Sequence, residues 1–138
     1  MLHLKIKDLL KSRSLAVTKN RLKVLSYFLR INKPIELKTI NLEFNILDRV
    51  TLFRILTAFE KSKLIHSIIL DNGKKYFALC NHDCSQLDNH VHNHVHFICE
   101  QCNDVSCLEL DKFPKLSTPN FIFNDVSINV SGLCSNCN

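Results

Sequence analysis

The stretch His94-Val-His96-Phe-Ile-Cys99-Glu-Gln-Cys102 ends in a C-x-x-C pair, and a second pair, Cys134-x-x-Cys137, follows after 31 residues. Two residues between cysteines allow a tight knuckle that holds two thiolates on one tetrahedral ion, so two knuckles complete a four-cysteine zinc site. The alternative, reduced thiols in a small core, requires both spacings to arise by chance. The sequence therefore predicts a structural Zn²⁺ site formed by Cys99, Cys102, Cys134 and Cys137.

Alternating histidines lead into the first cysteine pair, at positions 90, 92, 94 and 96. Successive side chains of a β-strand point to opposite faces, so these imidazoles share one face of a strand predicted over residues 91–98. His94 and His96 then form a chelating pair. The alternative is a row of solvated histidines on an exposed strand, which four regular repeats make less favourable.

Two further candidate ligands lie upstream in a predicted hairpin, one near the start of its first strand and one at the end of its second strand. A metal that binds them together with the histidine pair would join the two halves of the chain. Nitrogen and sulfur ligands favour Zn²⁺ over Fe²⁺ or Mn²⁺, which prefer more oxygen. The alternative is that the upstream cysteine is a small buried hydrophobe. The predicted sensory ligands are His66, Cys80, His94 and His96, with His92 and Cys107 as additional candidates.

Composition places the chain among soluble globular proteins. It has 138 residues, of which 46% are hydrophobic and 22% charged. No apolar run approaches the roughly 20 residues of a transmembrane helix, and the N-terminus lacks a signal-peptide core. We therefore expect a cytoplasmic protein without membrane contact, whose seven cysteines are metal ligands or thiols rather than disulfides.

Charge is distributed unevenly along the chain. Residues 1–75 hold 16 Lys/Arg and 6 Asp/Glu, a balance of +10, and residues 76–138 hold 2 and 7, a balance of −5. A basic half suggests a module that binds a polyanion such as double-stranded DNA. The alternative is that the lysines only keep the protein soluble.

The first half is predicted to be a winged helix over residues 1–80. Helices are expected at 4–10, from the N-cap Thr18 onwards, at 35–44 and from the N-cap Asp48 to about Ser62. Leu52, Ile55, Leu56 and Phe59 form the apolar stripe of the fourth helix. Strands at 64–70 and 75–80, joined by Asp71-Asn72-Gly73, predict the wing.

The second half is predicted to be a small metal-binding domain over residues 91–138, joined by a hinge linker at 81–90. Strands are expected at 91–98, 104–110 and 121–130, with a short helix at 112–116. Enzymatic functions are disfavoured because the chain has no H-E-x-x-H motif, no zinc-deaminase pattern and no glycine-rich phosphate loop.

Three segments resemble the ferric uptake regulator family of bacterial metal-responsive repressors. Leu15–Leu25 resembles the first signature of its DNA-binding domain, and Val50–Leu56 resembles its recognition-helix motif T-V-Y-R-x-L. Residues 94–102 are similar to its H-x-H-x-x-C-x-x-C signature. The resemblance covers about residues 10–138, with the motifs in the family's order.

The resemblance implies an α+β fold, with an N-terminal winged helix and a C-terminal α/β dimerisation domain. It implies a homodimer that binds palindromic operators when a sensory metal is bound, and the zinc-uptake branch matches the proposed ligand set. The chain is thus expected to be a zinc-responsive repressor of metal-uptake genes. The alternatives are an iron- or peroxide-responsive regulator using Fe²⁺ or Mn²⁺, and a zinc-ribbon module that binds a protein.

The recognition helix and wing supply the expected DNA contacts. Arginine and threonine beside an exposed aromatic suit a helix in the major groove, and lysines at a wing tip suit phosphate. The alternative is an ordinary amphipathic helix. The expected DNA-binding residues are Arg21, Arg49, Thr51, Phe53, Arg54, Thr57, Lys74 and Lys75.

The chain departs from the family pattern at four positions. Phe53 stands where tyrosine is usual, and it retains contact with a thymine methyl group. Lys33 lies near a histidine ligand of iron and peroxide sensors, and Cys107 lies where many members place a carboxylate ligand. Both changes argue against iron or peroxide sensing. Asn103 replaces the usual glycine after the first knuckle, and it tolerates the left-handed conformation.

Overall fold

The computed structural model describes residues 2–80, 94–109, 116–123 and 126–138. The chain divides into two compact units, Met1–Gln86 and Leu87–Asn138. The predicted linker at 81–90 and the predicted helix at 112–116, except Leu116, lie outside the described residues, and the predicted domain limits stay predictions. None of the described helices has both the length and the apolar character needed to cross a membrane.

The described part of the N-terminal unit contains four helices and a small antiparallel sheet. In chain order its elements are α1 (Leu2–Ser12), α2 (Lys19–Ile31), β1 (Ile35–Glu36), α3 (Leu37–Glu43), α4 (Arg49–Lys61), β2 (Ile65–Ile69) and β3 (Lys75–Leu79). The strands are ordered β1-β3-β2. Helices followed by this hairpin confirm the predicted winged helix.

Local sequence signals set the start of α2 and the buried face of α4. The Thr18 side chain caps α2 by accepting a hydrogen bond from the backbone N–H of Arg21 at 3.2 Å. Asp48 precedes α4 as predicted, but its side chain makes no capping hydrogen bond. The predicted stripe of α4 is buried, at Leu52, Ile55, Leu56 and Phe59. Burial of this stripe is therefore the main stabilisation of α4.

The third predicted helix begins two residues later than expected. Ile35 and Glu36 form β1 and pair with Phe77 and Tyr76 of β3, and α3 begins only at Leu37. Ile35 is β-branched and buried, so pairing with a distant strand outweighs the local helical preference. The prediction of a continuous helix over 35–44 was therefore wrong at its start.

The C-terminal unit is built around one central strand. Its described strands are β4 (His94–Cys99), β5 (Val105–Glu109) and β6 (Ile128–Gly132), in the order β5-β4-β6. β4 runs antiparallel to β5 and parallel to β6. Val95 to Ile98 therefore have a partner on both sides, which places groups from three strands together.

The third strand of this unit lies further along the chain than predicted. The sequence predicted residues 121–130, whereas β6 spans Ile128–Gly132, and Phe121 to Phe123 are exposed and outside any strand. The apolar alternation continues upstream of β6, but the parallel register with β4 begins at the Val95–Ile128 pair. Strand formation here depends on that partner and not on alternation alone.

Two phenylalanines of α4 give a test of the faces of this helix. Phe59→Ala should lower the free energy of unfolding by about 3–5 kcal/mol, because the ring is fully buried and its removal leaves a cavity. Phe53→Ala is the matched control, because its ring is 69% exposed, and it should cost less than about 0.5 kcal/mol. Urea unfolding of the full chain, followed by helical circular dichroism, measures both. Equal losses would contradict the assigned faces.

Candidate metal centres and nucleic-acid interface

The four predicted zinc ligands converge at one end of the C-terminal sheet. Their sulfur atoms all lie within 4.8 Å of one another. The Sγ atoms of Cys102 and Cys134 are 3.8 Å apart, which is too long for a disulfide. A tetrahedral ion with Zn–S bonds of about 2.3 Å separates its sulfurs by about 3.8 Å. The spacing of this pair therefore fits Zn²⁺, and the limit of 4.8 Å for the other pairs is compatible with it.

Backbone hydrogen bonds fold each knuckle. The N–H of Asn103 donates to the Cys99 carbonyl at 2.9 Å, and Asn103 has a φ of 60°. This is the left-handed conformation that the sequence predicted for an asparagine at this position. At the second knuckle the N–H of Cys137 donates to the Cys134 carbonyl at 3.0 Å. The Glu100 N–H donates to the Gly132 carbonyl at 2.8 Å, which ties the two knuckles together.

The ionisation of these thiols is strongly perturbed. Backbone N–H groups of Cys102 and Cys134 hold the pKa of Cys99 at about 6, and the Cys134 N–H lies 3.4 Å from its sulfur. In contrast, the hydrogen bond with Cys134, together with burial, raises the pKa of Cys137 to about 12. The protein alone thus favours one thiolate in the cluster. A divalent cation is the group that would let all four ionise, with release of protons.

A histidine and a cysteine meet at the base of the wing. Cys80 Sγ lies 3.5 Å from Nδ1 of His66, and both residues are half-buried. The Cys80 N–H donates to the Leu64 carbonyl at 3.1 Å, which extends the pairing of β2 and β3 by one residue. Nitrogen and sulfur on one tetrahedral zinc ion would be about 3.6 Å apart. The spacing of this pair fits that requirement.

A second histidine and cysteine meet in the C-terminal unit. His96 of β4 and Cys107 of β5 are direct partners in the antiparallel register, and a ring nitrogen of His96 lies within 4.8 Å of Cys107 Sγ. His96 is only 4% exposed. Burial raises the pKa of Cys107 to about 11. Among the described side chains, each unit therefore carries a His–Cys pair, formed by residues that lie in paired strands or directly follow one.

The remaining predicted ligands are only partly placed. The backbone of His94 lies in β4 opposite Glu109, but the described structure does not include their side chains. His92 lies outside the described residues. Sequence reasoning missed Asn129, whose Oδ1 lies 3.3 Å from Nδ1 of His96. Its position opposite His96 follows from the parallel register of β4 and β6, which no local pattern encodes.

The predicted DNA-binding residues lie mainly on the outer face of α4 and at the wing. Arg49, Phe53 and Arg54 are exposed, with 69% of Phe53 accessible, and Thr51 and Thr57 are half-buried. A groove between α3, the start of α4 and the β2–β3 turn is lined by four basic residues, Lys38, Arg49, Lys74 and Lys75. A basic groove beside an exposed helix is suited to a phosphate backbone.

Two of the basic residues predicted to bind DNA, Arg21 and Lys75, also make contacts within the protein. The Arg21 guanidinium donates to the Ala16 carbonyl at 3.0 Å, which ties it to the loop before α2. Lys75 Nζ lies 5.0 Å from the ring centre of Phe77. Lys74 remains exposed at the turn, where its N–H donates to Asn72 Oδ1 at 2.9 Å. Lys74 is therefore the most accessible of the three.

Comparison with known proteins agrees with this arrangement. The sequence model of the ferric uptake regulator family matches residues 12–128, whereas a search of curated proteins gives no match. A zinc uptake regulator complexed with zinc and DNA has a TM-score of 0.68 at 18% identity, over 99% of this chain and 92% of that chain. Holo XcZur gives 0.66 at 19% identity, over 98% and 97%.

An iron-regulator structure shares the same fold. The ferric uptake regulator of Vibrio cholerae has a TM-score of 0.57 at 22% identity, over 91% of this chain and 96% of that chain. The family match spans the winged helix from α2 onwards, both His–Cys pairs and the first cysteine knuckle. The chain therefore belongs to the ferric uptake regulator family of metal-dependent DNA-binding regulators.

Proposed function

We propose that this chain is a zinc-responsive transcriptional repressor of metal-uptake genes that acts as a homodimer on palindromic DNA. The observation that carries the choice of metal is the His66–Cys80 pair, with nitrogen and sulfur 3.5 Å apart at the base of the wing. Thiolate and imidazole donors favour Zn²⁺ over the oxygen-preferring Fe²⁺ and Mn²⁺. The zinc uptake regulators of the same fold support this choice.

The proposed sensory ligands are His66, Cys80, His94 and His96. Two come from the wing hairpin and two from β4, so one ion that takes all four would hold the two units in a single arrangement. His92 and Cys107 are further candidates. Bound metal supplies a free-energy preference for this arrangement. A change from about 1% to about 99% occupancy of the DNA-binding form requires about 5.5 kcal/mol of differential binding.

The winged helix supplies the DNA contacts in this proposal. α4 enters the major groove, where Arg54 and Thr57 face base edges and the Phe53 ring contacts a thymine methyl group. Lys74 at the wing contacts phosphate. Two copies related by a twofold axis would read half-sites about one helical turn apart. The excess of basic residues in the first half of the chain supports binding to a polyanion.

Metal-dependent DNA binding is the first expected outcome. With the structural zinc retained, nanomolar free Zn²⁺ should switch on binding to a palindromic duplex selected from a randomised pool. Fe²⁺ and Mn²⁺ at matched free concentrations should be weaker activators. Fluorescence anisotropy in metal-buffered solution measures the response. Equal DNA affinity with and without added metal would falsify the proposed function.

The two metal sites should be separable by mutation. Cys99→Ser should remove the structural zinc and unfold the C-terminal unit, because the unit is held by its cysteine knuckles. His96→Ala and His66→Ala should each leave a folded protein that retains structural zinc and no longer responds to added metal. Zinc per chain by elemental analysis and amide NMR dispersion distinguish these results. Identical unfolding in all three variants would rule out two independent sites.

Salt dependence tests the wing contact. Lys74→Ala should weaken binding to all DNA sequences and reduce the slope of log K against log salt by about 0.9 per chain, because one phosphate contact is lost. Lys11→Ala is the control. Lys11 is exposed near the end of α1, where Arg13 bonds the Ser62 and Lys63 carbonyls after α4. Equal slopes for both variants would show that Lys74 does not contact a DNA phosphate.

A further inference from the structure

We propose that Cys107 is a thiolate ligand of the sensory metal and that Asn129 is the positioning residue that orients His96 toward it. The inference rests on the proposed function and deepens it, because it identifies what selects the metal. It also assigns a role to Asn129, which no sequence motif marks. The central position of β4 between β5 and β6 carries the argument.

His96 is held between residues of two different strands. On one side it pairs with Cys107 across the antiparallel β4–β5 ladder, and on the other with Asn129 across the parallel β4–β6 ladder. Residues that are opposite each other in register project to the same face of a sheet. The imidazole therefore has a thiol on one side and a carboxamide on the other.

The carboxamide selects the tautomer of the neutral imidazole. Asn129 Oδ1 lies 3.3 Å from Nδ1 of His96. An amide oxygen only accepts hydrogen bonds, so Nδ1 must carry the proton in this contact. The lone pair then resides on Nε2, which is buried. Metal-binding histidines are commonly held this way, with the second ring nitrogen donating to a neighbouring oxygen.

The thiol completes a soft pair of donors. Cys107 Sγ and a ring nitrogen of His96 lie within 4.8 Å of each other, and zinc would require about 3.6 Å between nitrogen and sulfur. A small side-chain rotation closes that difference. Cys107 therefore supplies sulfur and not oxygen at this position. A hard oxygen donor favours Mn²⁺ or Fe²⁺, and its replacement by a thiolate shifts the preference to Zn²⁺.

Cobalt spectroscopy tests the ligand role of Cys107. The full chain, with structural zinc retained, is titrated with Co²⁺ in the absence of DNA. Added Co²⁺ should give a sulfur-to-cobalt charge-transfer band whose intensity reports two thiolates, Cys80 and Cys107. Cys107→Ser should therefore lose about half of this intensity. Ser106→Ala, the next residue on β5 and on the opposite face, should keep the full band. Full intensity in Cys107→Ser, or no cobalt bound beside the structural zinc, would overturn the assignment.

A carboxylate variant tests the metal preference directly. Cys107→Asp replaces the sulfur with an oxygen donor, so Zn²⁺ affinity should fall by about 10-fold or more while Mn²⁺ affinity stays the same or rises. Competition with a chromophoric chelator gives both values. An unchanged ratio of Zn²⁺ to Mn²⁺ affinity would show that Cys107 does not determine selectivity.

The role of Asn129 is tested by the tautomer of His96 in an alanine variant and by rescue with a conservative variant. Asn129→Ala should lower Zn²⁺ affinity by about 10–100-fold and should remove the Nδ1–H tautomer of His96 from long-range ¹⁵N NMR spectra of the metal-free protein. Asn129→Asp still accepts the N–H and should restore both. An unchanged tautomer and affinity in Asn129→Ala would overturn the positioning role. Because these measurements contain no DNA, a failed operator assay with intact cobalt spectra would reject the repressor function alone.

Discussion

Four thiols within 4.8 Å of one another are the constraint on which the C-terminal unit depends. Without a cation, ionisation of one thiol opposes ionisation of the others, as the opposite pKa shifts of Cys99 and Cys137 indicate. Among the described residues of this unit, only Val95, His96, Cys99 and Val105 are buried. These few buried side chains offset only a small part of the loss of chain entropy. A zinc ion at the four thiols would add a further contribution, with roughly 10–16 kcal/mol available in small zinc domains.

The same constraint positions residues that we propose as sensory ligands. Cys99 is the last residue of β4, and His96 lies three residues earlier on the same strand. Fixing Cys99 in the knuckle therefore fixes β4, and pairing with β5 and β6 then fixes Cys107 and Asn129 around the imidazole. The four-cysteine site thus fixes the strands that carry the proposed sensory ligands. This dependence gives a reason why one short stretch of chain carries both the first cysteine knuckle and the proposed sensory histidines.

Features encoded within a few residues were predictable from sequence. The Thr18 cap, the stripe around Phe59 and the left-handed Asn103 each follow from spacing or local chemistry, and the structure has all three. Features set by pairing between distant segments were not. Ile35 joins a strand instead of a helix, and β6 lies further along the chain than its alternating pattern indicated. Asn129 was missed for the same reason, because its partner His96 lies 33 residues away and only the strand register brings the two together.

The distribution of donors gives a physical reason why metal binding at the proposed sensory site would be reversible. Each unit offers one His–Cys pair from its described side chains, whereas the knuckles offer four cysteines in a single unit. Two ligands leave a tetrahedral ion half-coordinated, so an ion held by one pair alone dissociates readily. Tight binding then requires further ligands from elsewhere in the protein, and affinity becomes coupled to conformation. By linkage, whatever stabilises the conformation that supplies those ligands, including bound DNA, must tighten the metal by the same factor.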